Sequence, residues 1–412
     1  MGWGRTGMRK CRKVVNAIML VTIAAAASLP GLGAEGDPLH GAYDRYYNLE
    51  YDAAEKDLQN WLTTHPEDLR ALSYLGSVIL QRELFRRDLL EAQAYAKGGE
   101  AFREEKASSS SRLREDLLGV LKRGAAIAEA RLKRNSRDEE ALYWSGTIHV
   151  TRAFYALTVE KARLKALGEA KEARKLHEEL LKINPNYVDA RLVVGTYDYL
   201  VGSLPWYTKV LASIAGYRGN RERGLAEIKR VTEEGRWARD DARLFLAVLY
   251  FREKRYAESL ALYRGLWQTY PRNFVFPQQI ARIHRAQNDW RSTAETYESM
   301  LARYAVPGKN IGTFPLPRIL FQAGQARAAL GEKDAALRHY QAAAELQENN
   351  VYVFRAELAA AGICVELNRR AEALRRYQRV ARAVPDSDEG RAAVRSLQLL
   401  PPEGKPAVAG SS

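Results

Sequence analysis

Apolar residues recur at spacings of three and four along most of this chain, and between Asp240 and Arg303 one arrangement is written twice, 34 residues apart. Leu246, Ala247, Tyr256 and Tyr263 return as Ile280, Ala281, Trp290 and Tyr297. Tyr256, Ser259, Tyr263 and Leu266 share one helical face, and Leu246, Ala247 and Tyr250 share another just before it. The pattern predicts two helices crossing where the residues are small, at Ala247 and Ser259, since a large side chain there would push them apart. Pro271 cannot continue a helix and closes the unit.

This spacing resembles the tetratricopeptide repeat. With Pro271 as position 32, Ala247 and Ser259 take positions 8 and 20, and Tyr256 and Tyr263 take 17 and 24. A single hairpin cannot bury its apolar face alone; stacking neighbours does so. The resemblance implies an all-α, right-handed superhelical solenoid of about eight hairpins with a C-terminal capping helix. It implies a scaffold for partners more than a chemistry.

Repeat one runs from Asp37 to Pro66, with Tyr51, Ala54 and Leu58 at positions 17, 20 and 24. Repeat two opens with Leu72, Leu75 and Gly76, then lengthens through a polar stretch, Gln81 to Arg114, that contains the run Ser108 to Ser111. A return helix is expected from about Arg112 to Lys133. Repeat three spans Leu142 to Pro185 and carries a charged extension between Lys161 and Lys175. Gly195 restarts the pattern, an insertion at about 202–220 interrupts it, and Gly224 and Ile228 resume it. After the clean pair comes a Pro/Gly loop at 305–318. Repeat seven then holds Gly324, Ala336, Tyr340 and Ala343, and repeat eight holds Ala361, Ala373, Tyr377 and Val380. A last helix, Ser387 to Leu400, should cap the stack. The organisation expected is a leader (1–34), N-terminal repeats with a long helical insertion (35–136), central repeats (137–235), a regular array with its cap (236–400) and a disordered tail (401–412).

The first 34 residues read as a secretory leader, with a cationic start ending at Lys13, an apolar run from Val14 to Ala27, and small residues up to Ala34. The run is short for a membrane span, which needs about 20 residues. The expectation is a periplasmic or secreted protein. The alternative is an inner-membrane anchor with the repeats facing the periplasm.

The segment GTYDYLVGSLPWYTKVLASIAGYRGNRERGLAEI, within 195–228, is similar to the corresponding region of the eukaryotic inclusion-body clearance family of tetratricopeptide proteins. There an apolar segment leads into a Gly-Asp-Arg turn and a helix. Here the turn is Gly219-Asn220-Arg221, and Asn220 can still cap the helix. The likeness implies a helix arrangement and no function.

Formal charge is +14, of which five positive charges precede residue 35, leaving +9 against 50 acidic groups. This permits an anionic partner without requiring one. Cys11 lies in the leader, and Cys364, at position 11 of its repeat, reads as a small core residue. The six histidines lack the close pairing of a zinc helix, and GYRGNRERG lacks the strand and the Gly-Lys-Ser/Thr end of a phosphate loop. Glu139-Glu140 and Asp240-Asp241 fit helix N-termini, where the dipole favours acid. No catalytic residue, metal ligand or cofactor is therefore expected.

The expected binding surface is the concave one, lined by positions 2, 5, 9 and 12 of each first helix. It presents Tyr143 and Thr147, Tyr199, then Leu244, Val248 and Phe251, then Gln278, Arg282 and Arg285, then Arg318, Phe321 and Gln325. Aromatic and arginine groups suit a protein or peptide partner, and the mixed lining argues against nucleic acid. A second candidate is an outward arginine stripe, Arg375, Arg379 and Arg382, at helical spacing, facing an anionic envelope polymer or lipid headgroup. The neighbouring Arg376 reads as a surface residue of small energetic weight. The sequence leaves oligomeric state and partner identity open.

Overall fold

The computed structural model describes residues 37–86, 111–204, 219–305, 314–346 and 348–400. The leader, Ser108 to Ser110, the body of the insertion, residues 306–313 and the tail lie outside them. Seventeen α-helices and no strand occur among the described residues. They pair as eight hairpins, as the period requires: α1 (His40–Tyr47) with α2 (Tyr51–Thr64), α3 (Leu69–Arg86) with α4 (Ser111–Arg134), and α5 (Glu139–Thr158) with α6 (Arg163–Ile183). A 3-10 turn, Val188–Ala190, leads into α7 (Arg191–Gly202), which pairs with α8 (Arg221–Glu234); α9 (Arg239–Arg252) pairs with α10 (Tyr256–Thr269). Then follow α11 (Val275–Ala286) with α12 (Trp290–Tyr304), α13 (Leu316–Ala329) with α14 (Lys333–Glu345), and α15 (Val351–Glu366) with α16 (Arg370–Ala383). The cap, α17 (Asp388–Leu399), starts where Ser387 accepts from the Gly390 amide. The expected return helix is α4.

The small positions do what the pattern demands. Ala247 and Ser259 are fully buried at the α9–α10 crossing, and the Ser259 hydroxyl donates to the Ala247 carbonyl at 2.8 Å. At Gly324 an added Cβ would stand 2.5 Å from the Tyr340 ring, so this aromatic lies flat on the glycine of the facing helix. Gly146 plays the same part for His177, whose ring would be 2.3 Å from a Cβ there. Each buried large apolar side chain stabilises the stack by about 1.5–3 kcal/mol relative to exposure. Cys364 is buried, as its position predicted, and its thiol is pushed up by desolvation.

The fourth hairpin is the tightest. Gly195 and Gly224 face each other across α7 and α8, and a Cβ on Gly224 would lie 2.3 Å from the Tyr199 amide nitrogen. Gly202 and Gly219, at the two ends of the insertion, are equally close: a Cβ on Gly219 would meet the Gly202 nitrogen at 2.9 Å. Asn220 caps α8, its side chain accepting from the Arg223 amide at 2.9 Å. The chain falls into two compact units that divide between Asn273 and Phe274. The first holds α1 to α10 and the second α11 to α17.

Candidate functional site

The inner faces of the first helices differ between the two units. In the first unit the face is filled by the protein itself. Short helix α1 brings Tyr43 and Tyr47 against the start of α9, where Asp240 and Asp241 sit in its first turn. Tyr43 donates to Asp240 Oδ2 at 3.3 Å and Tyr270 donates to the same oxygen at 2.6 Å. Tyr47 donates to Asp241, and its ring stacks on Tyr270 at 4.6 Å between centroids. Arg243 pairs with Asp240 at 2.9 Å, so the Asp240 carboxylate has a cation as well as phenol donors. Burial holds the Tyr43 and Tyr47 phenols well above their ordinary pKa, so they stay protonated and able to donate.

Around this contact the backbone is pinned too. Asn273 donates to the Tyr47 carbonyl at 2.6 Å, Asn48 accepts from the Arg272 amide at 2.9 Å, and Arg272 pairs with Asp44 at 2.7 Å and Glu50 at 2.6 Å. Tyr74, Tyr143 and Trp144 are buried behind it. Tyr143, expected on an open concave face, is instead 2% exposed; its ring packs on Trp144 and Tyr187, 4.7 and 5.0 Å away. Thr147 is buried as well, and Tyr199 is buried with its hydroxyl donating to Glu253 at 2.6 Å. The physical reason is that Tyr143 and Trp144 are too large to leave wet when neighbouring first helices approach closely. Leu244, Val248 and Phe251 are half-buried, Phe251 lying 5.8 Å from Tyr256.

In the second unit the same positions present polar and charged groups. Gln278, Arg282 and Arg285 stand four and seven residues apart on α11, and the last two are half-buried. Arg318 is 6% exposed, Phe321 half-buried and Gln325 exposed on α13. Tyr352 at the start of α15 joins them: the Arg318 guanidinium is 5.9 Å from its ring centre, that of Arg355 is 5.5 Å away, and Phe321 lies 5.9 Å from it. Arg355 also pairs with Glu389 of the cap at 2.9 Å. Helices α11 and α13 contain no acidic residue.

The arginine stripe on α16 divides on inspection. Arg375 and Arg382 are exposed. Arg379 pairs with Glu357. Arg376 corrects the sequence reading: its side chain is only 12% exposed and pairs at 2.8 Å with Glu357, itself 2% exposed, and with Glu372. The buried acid of α15 draws the arginine inward, which helical spacing alone did not show. Repeat spacing singles out neither the tyrosines of α1 nor Tyr352. The signal for the first was present in four tyrosines between Tyr43 and Tyr51.

Residues 210–273 match the tetratricopeptide repeat family. No curated protein matches the chain. Among solved structures, PilW, a widely conserved type IV pilus biogenesis factor, is 13% identical with a TM-score of 0.37, covering 58% of this chain and 92% of that one. The thermophilic repeat protein TTC0263 of Thermus thermophilus is 18% identical with a TM-score of 0.34, covering 61% and 98%. A tetratricopeptide repeat protein from Parabacteroides merdae is 15% identical with a TM-score of 0.29, covering 77% and 95%.

Proposed function

We propose that this chain of tetratricopeptide-type hairpins is an exported, non-catalytic scaffold of the cell envelope that holds a protein or peptide partner on its first helices. One observation carries the binding half of this reading. The inner face of the second unit keeps Phe321, Tyr352, Arg282 and Gln325 at least partly accessible, whereas Tyr143, Thr147 and Tyr199 on the first helices of the first unit are buried. Half-buried aromatic and arginine side chains are the usual anchors of protein interfaces. The export half rests on the basic start and short apolar run of residues 1–34.

A photo-crosslinking side chain placed at Phe321 or Gln325 in living cells tests the first half. A discrete adduct is expected there and none from Arg338, an exposed residue of α14; equal labelling at both would sink the assignment. A periplasm-active reporter fused after residue 400 tests export, and activity confined to the unprocessed cytosolic chain would refute it. The second reading, an anionic polymer or lipid held by α16, keeps Arg375 and Arg382, which are exposed and make no ion pair among the described residues. It requires binding to anionic vesicles that the triple change of Arg375, Arg379 and Arg382 to alanine removes.

A further inference from the structure

We propose that the C-terminal end of the second unit docks on an anionic lipid surface, with exposed arginines of α16 and α17 set against headgroups and Val394 and Leu399 entering the boundary beneath them. This rests on the second reading above, adds α17 to its site and commits it to lipid. The inner face stays free for a protein partner.

The charge distribution comes first. Helices α16 and α17 carry three acidic side chains, and each is engaged: Glu372 with Arg376 at 2.8 Å, Asp388 with Arg391 at 2.6 Å, and Glu389 with Arg355 at 2.9 Å. Arg376 and Arg379 turn to the buried Glu357 of α15. Arg375, Arg382 and Arg395 are exposed and make no ion pair among the described residues. The first two stand two turns apart on α16, on the side away from buried Ala373, Tyr377 and Val380. Outward positive charge that no acid of its own helices neutralises draws an anionic surface.

Charge alone would suit any polyanion; the apolar residues beside it name the kind. Four large apolar side chains are exposed among the described residues, and three of them, Val351, Val394 and Leu399, belong to the last hairpin and its cap. Leu399 is 81% exposed and stands one turn beyond Arg395 on α17, and Val394, next to Arg395, is 44% exposed. A soluble or wall polymer offers these two side chains nothing, since it meets the arginines with charge only. A lipid surface offers anionic headgroups and, about 5–10 Å deeper, an apolar boundary that removes such groups from water. Arginine suits the same place, because its stem lies along apolar surface while the guanidinium stays at headgroup level.

The test is co-sedimentation of the full-length protein with vesicles of phosphatidylglycerol mixed with phosphatidylcholine, beside vesicles of phosphatidylcholine alone. The anionic vesicles should bind it more tightly, and that binding should fall as salt rises. Arg375→Ala, Arg382→Ala and Arg395→Ala together should weaken it about a hundredfold, from roughly fivefold for each arginine near an anionic surface. The same three changed to lysine should keep most of it. Val394→Ser with Leu399→Ser should weaken vesicle binding about tenfold and leave binding to soluble inorganic polyphosphate unchanged. All five side chains are exposed, and a melting curve beside each variant checks that it folds. Residues 1–34 are common to every variant, so the differences report on the C-terminal end. An environment-sensitive dye on Leu399→Cys in a Cys11→Ser background, Cys364 being buried, should shift to the blue on anionic vesicles. The same dye on Ser299→Cys, exposed on α12, should not. No loss in the triple alanine variant, or no shift at 399, overturns the lipid surface. If polyphosphate is held as tightly as vesicles and the serine pair changes neither, the polymer form of the second reading stands and this proposal falls. If neither anion binds, both fall, and the crosslink from Phe321 still decides the groove.

Discussion

At the scale of single residues, burial decides energetic weight, and burial is what a sequence reports only indirectly. Tyr263 and Tyr297 were legible from their repeat position and are buried. Changing either to alanine should cost about 3–5 kcal/mol, read as a fall in urea midpoint. Arg376 was not legible, because the acid that draws it inward, Glu357, lies on the neighbouring helix and outside any helical spacing. Arg376→Ala should therefore cost about 1–3 kcal/mol, the scale of a charged hydrogen-bonding group left short of a partner, while Arg375→Ala should cost under about 0.5 kcal/mol. Equal losses at the two sites would contradict the ion pairing. His177 gives a pH signature. Burial lowers its pKa from 6.5 to about 4, with its Nδ1–H donating to the Ala173 carbonyl at 2.8 Å. The folded form thus resists protonation that the unfolded chain accepts, so the unfolded chain binds more protons in this interval. The stability His177 contributes is fully present above pH 6.5 and is lost as pH falls towards 4. A leucine at 177 should flatten the melting temperature over that interval relative to wild type; an unchanged slope would assign the acid sensitivity to other groups.

At the scale of helices, the 34-residue beat read the hairpins well because positions 8, 20 and 24 are set by contact between a helix and its own partner, which lies close in sequence. The return helix after the serine run and the cap were found for the same reason. The pattern could not give the separation of α7 and α8. Glycines at 195, 202, 219 and 224 bring backbone against backbone, and the atoms that a Gly224 methyl would strike are the Tyr199 amide nitrogen and the Gly195 carbonyl oxygen, 2.4 Å away in the latter case. Backbone cannot step aside as a side-chain tip can. Gly224→Ala should therefore destabilise by at least the roughly 1–3 kcal/mol of ordinary overpacking. Gly265, inside α10, has nothing within 4 Å of its added Cβ. There the helical preference for alanine governs, and Gly265→Ala should stabilise by about 0.5–1 kcal/mol. Opposite signs from the same chemical change, measured by chemical denaturation, check that the two glycines serve different ends.

At the scale of the molecule, a repeat array is expected to behave as a line in which each hairpin feels only its neighbours. The first unit departs from that. Tyr43 reaches Asp240 across 197 positions and Arg272 reaches Asp44 across 228, so its first hairpin is tied to its fifth. No period of 34 could announce this, since the contact joins residues with no matching place in the repeat; only the density of tyrosines before Tyr51 hinted that something must bury them. The closure makes a thermodynamic prediction that a linear stack does not. In a line, removing the contacts of α1 should loosen α2 and leave α9 untouched. In a closed unit, Tyr43→Ala with Tyr47→Ala removes one phenol donor from each of the two adjacent carboxylates at the start of α9, in a place where each unmade bond costs about 1–3 kcal/mol. Hydrogen exchange followed by mass spectrometry on the double variant should then show faster exchange in peptides covering α9 and α10, some 200 residues away, with α6 changing less. The reciprocal change, Tyr270→Phe, should speed exchange in α1 by the same logic, since a closed contact couples its two sides equally. Loss of protection confined to α1 and α2 would return the first unit to an ordinary linear array, with the tyrosine–aspartate contact a local feature of no cooperative consequence.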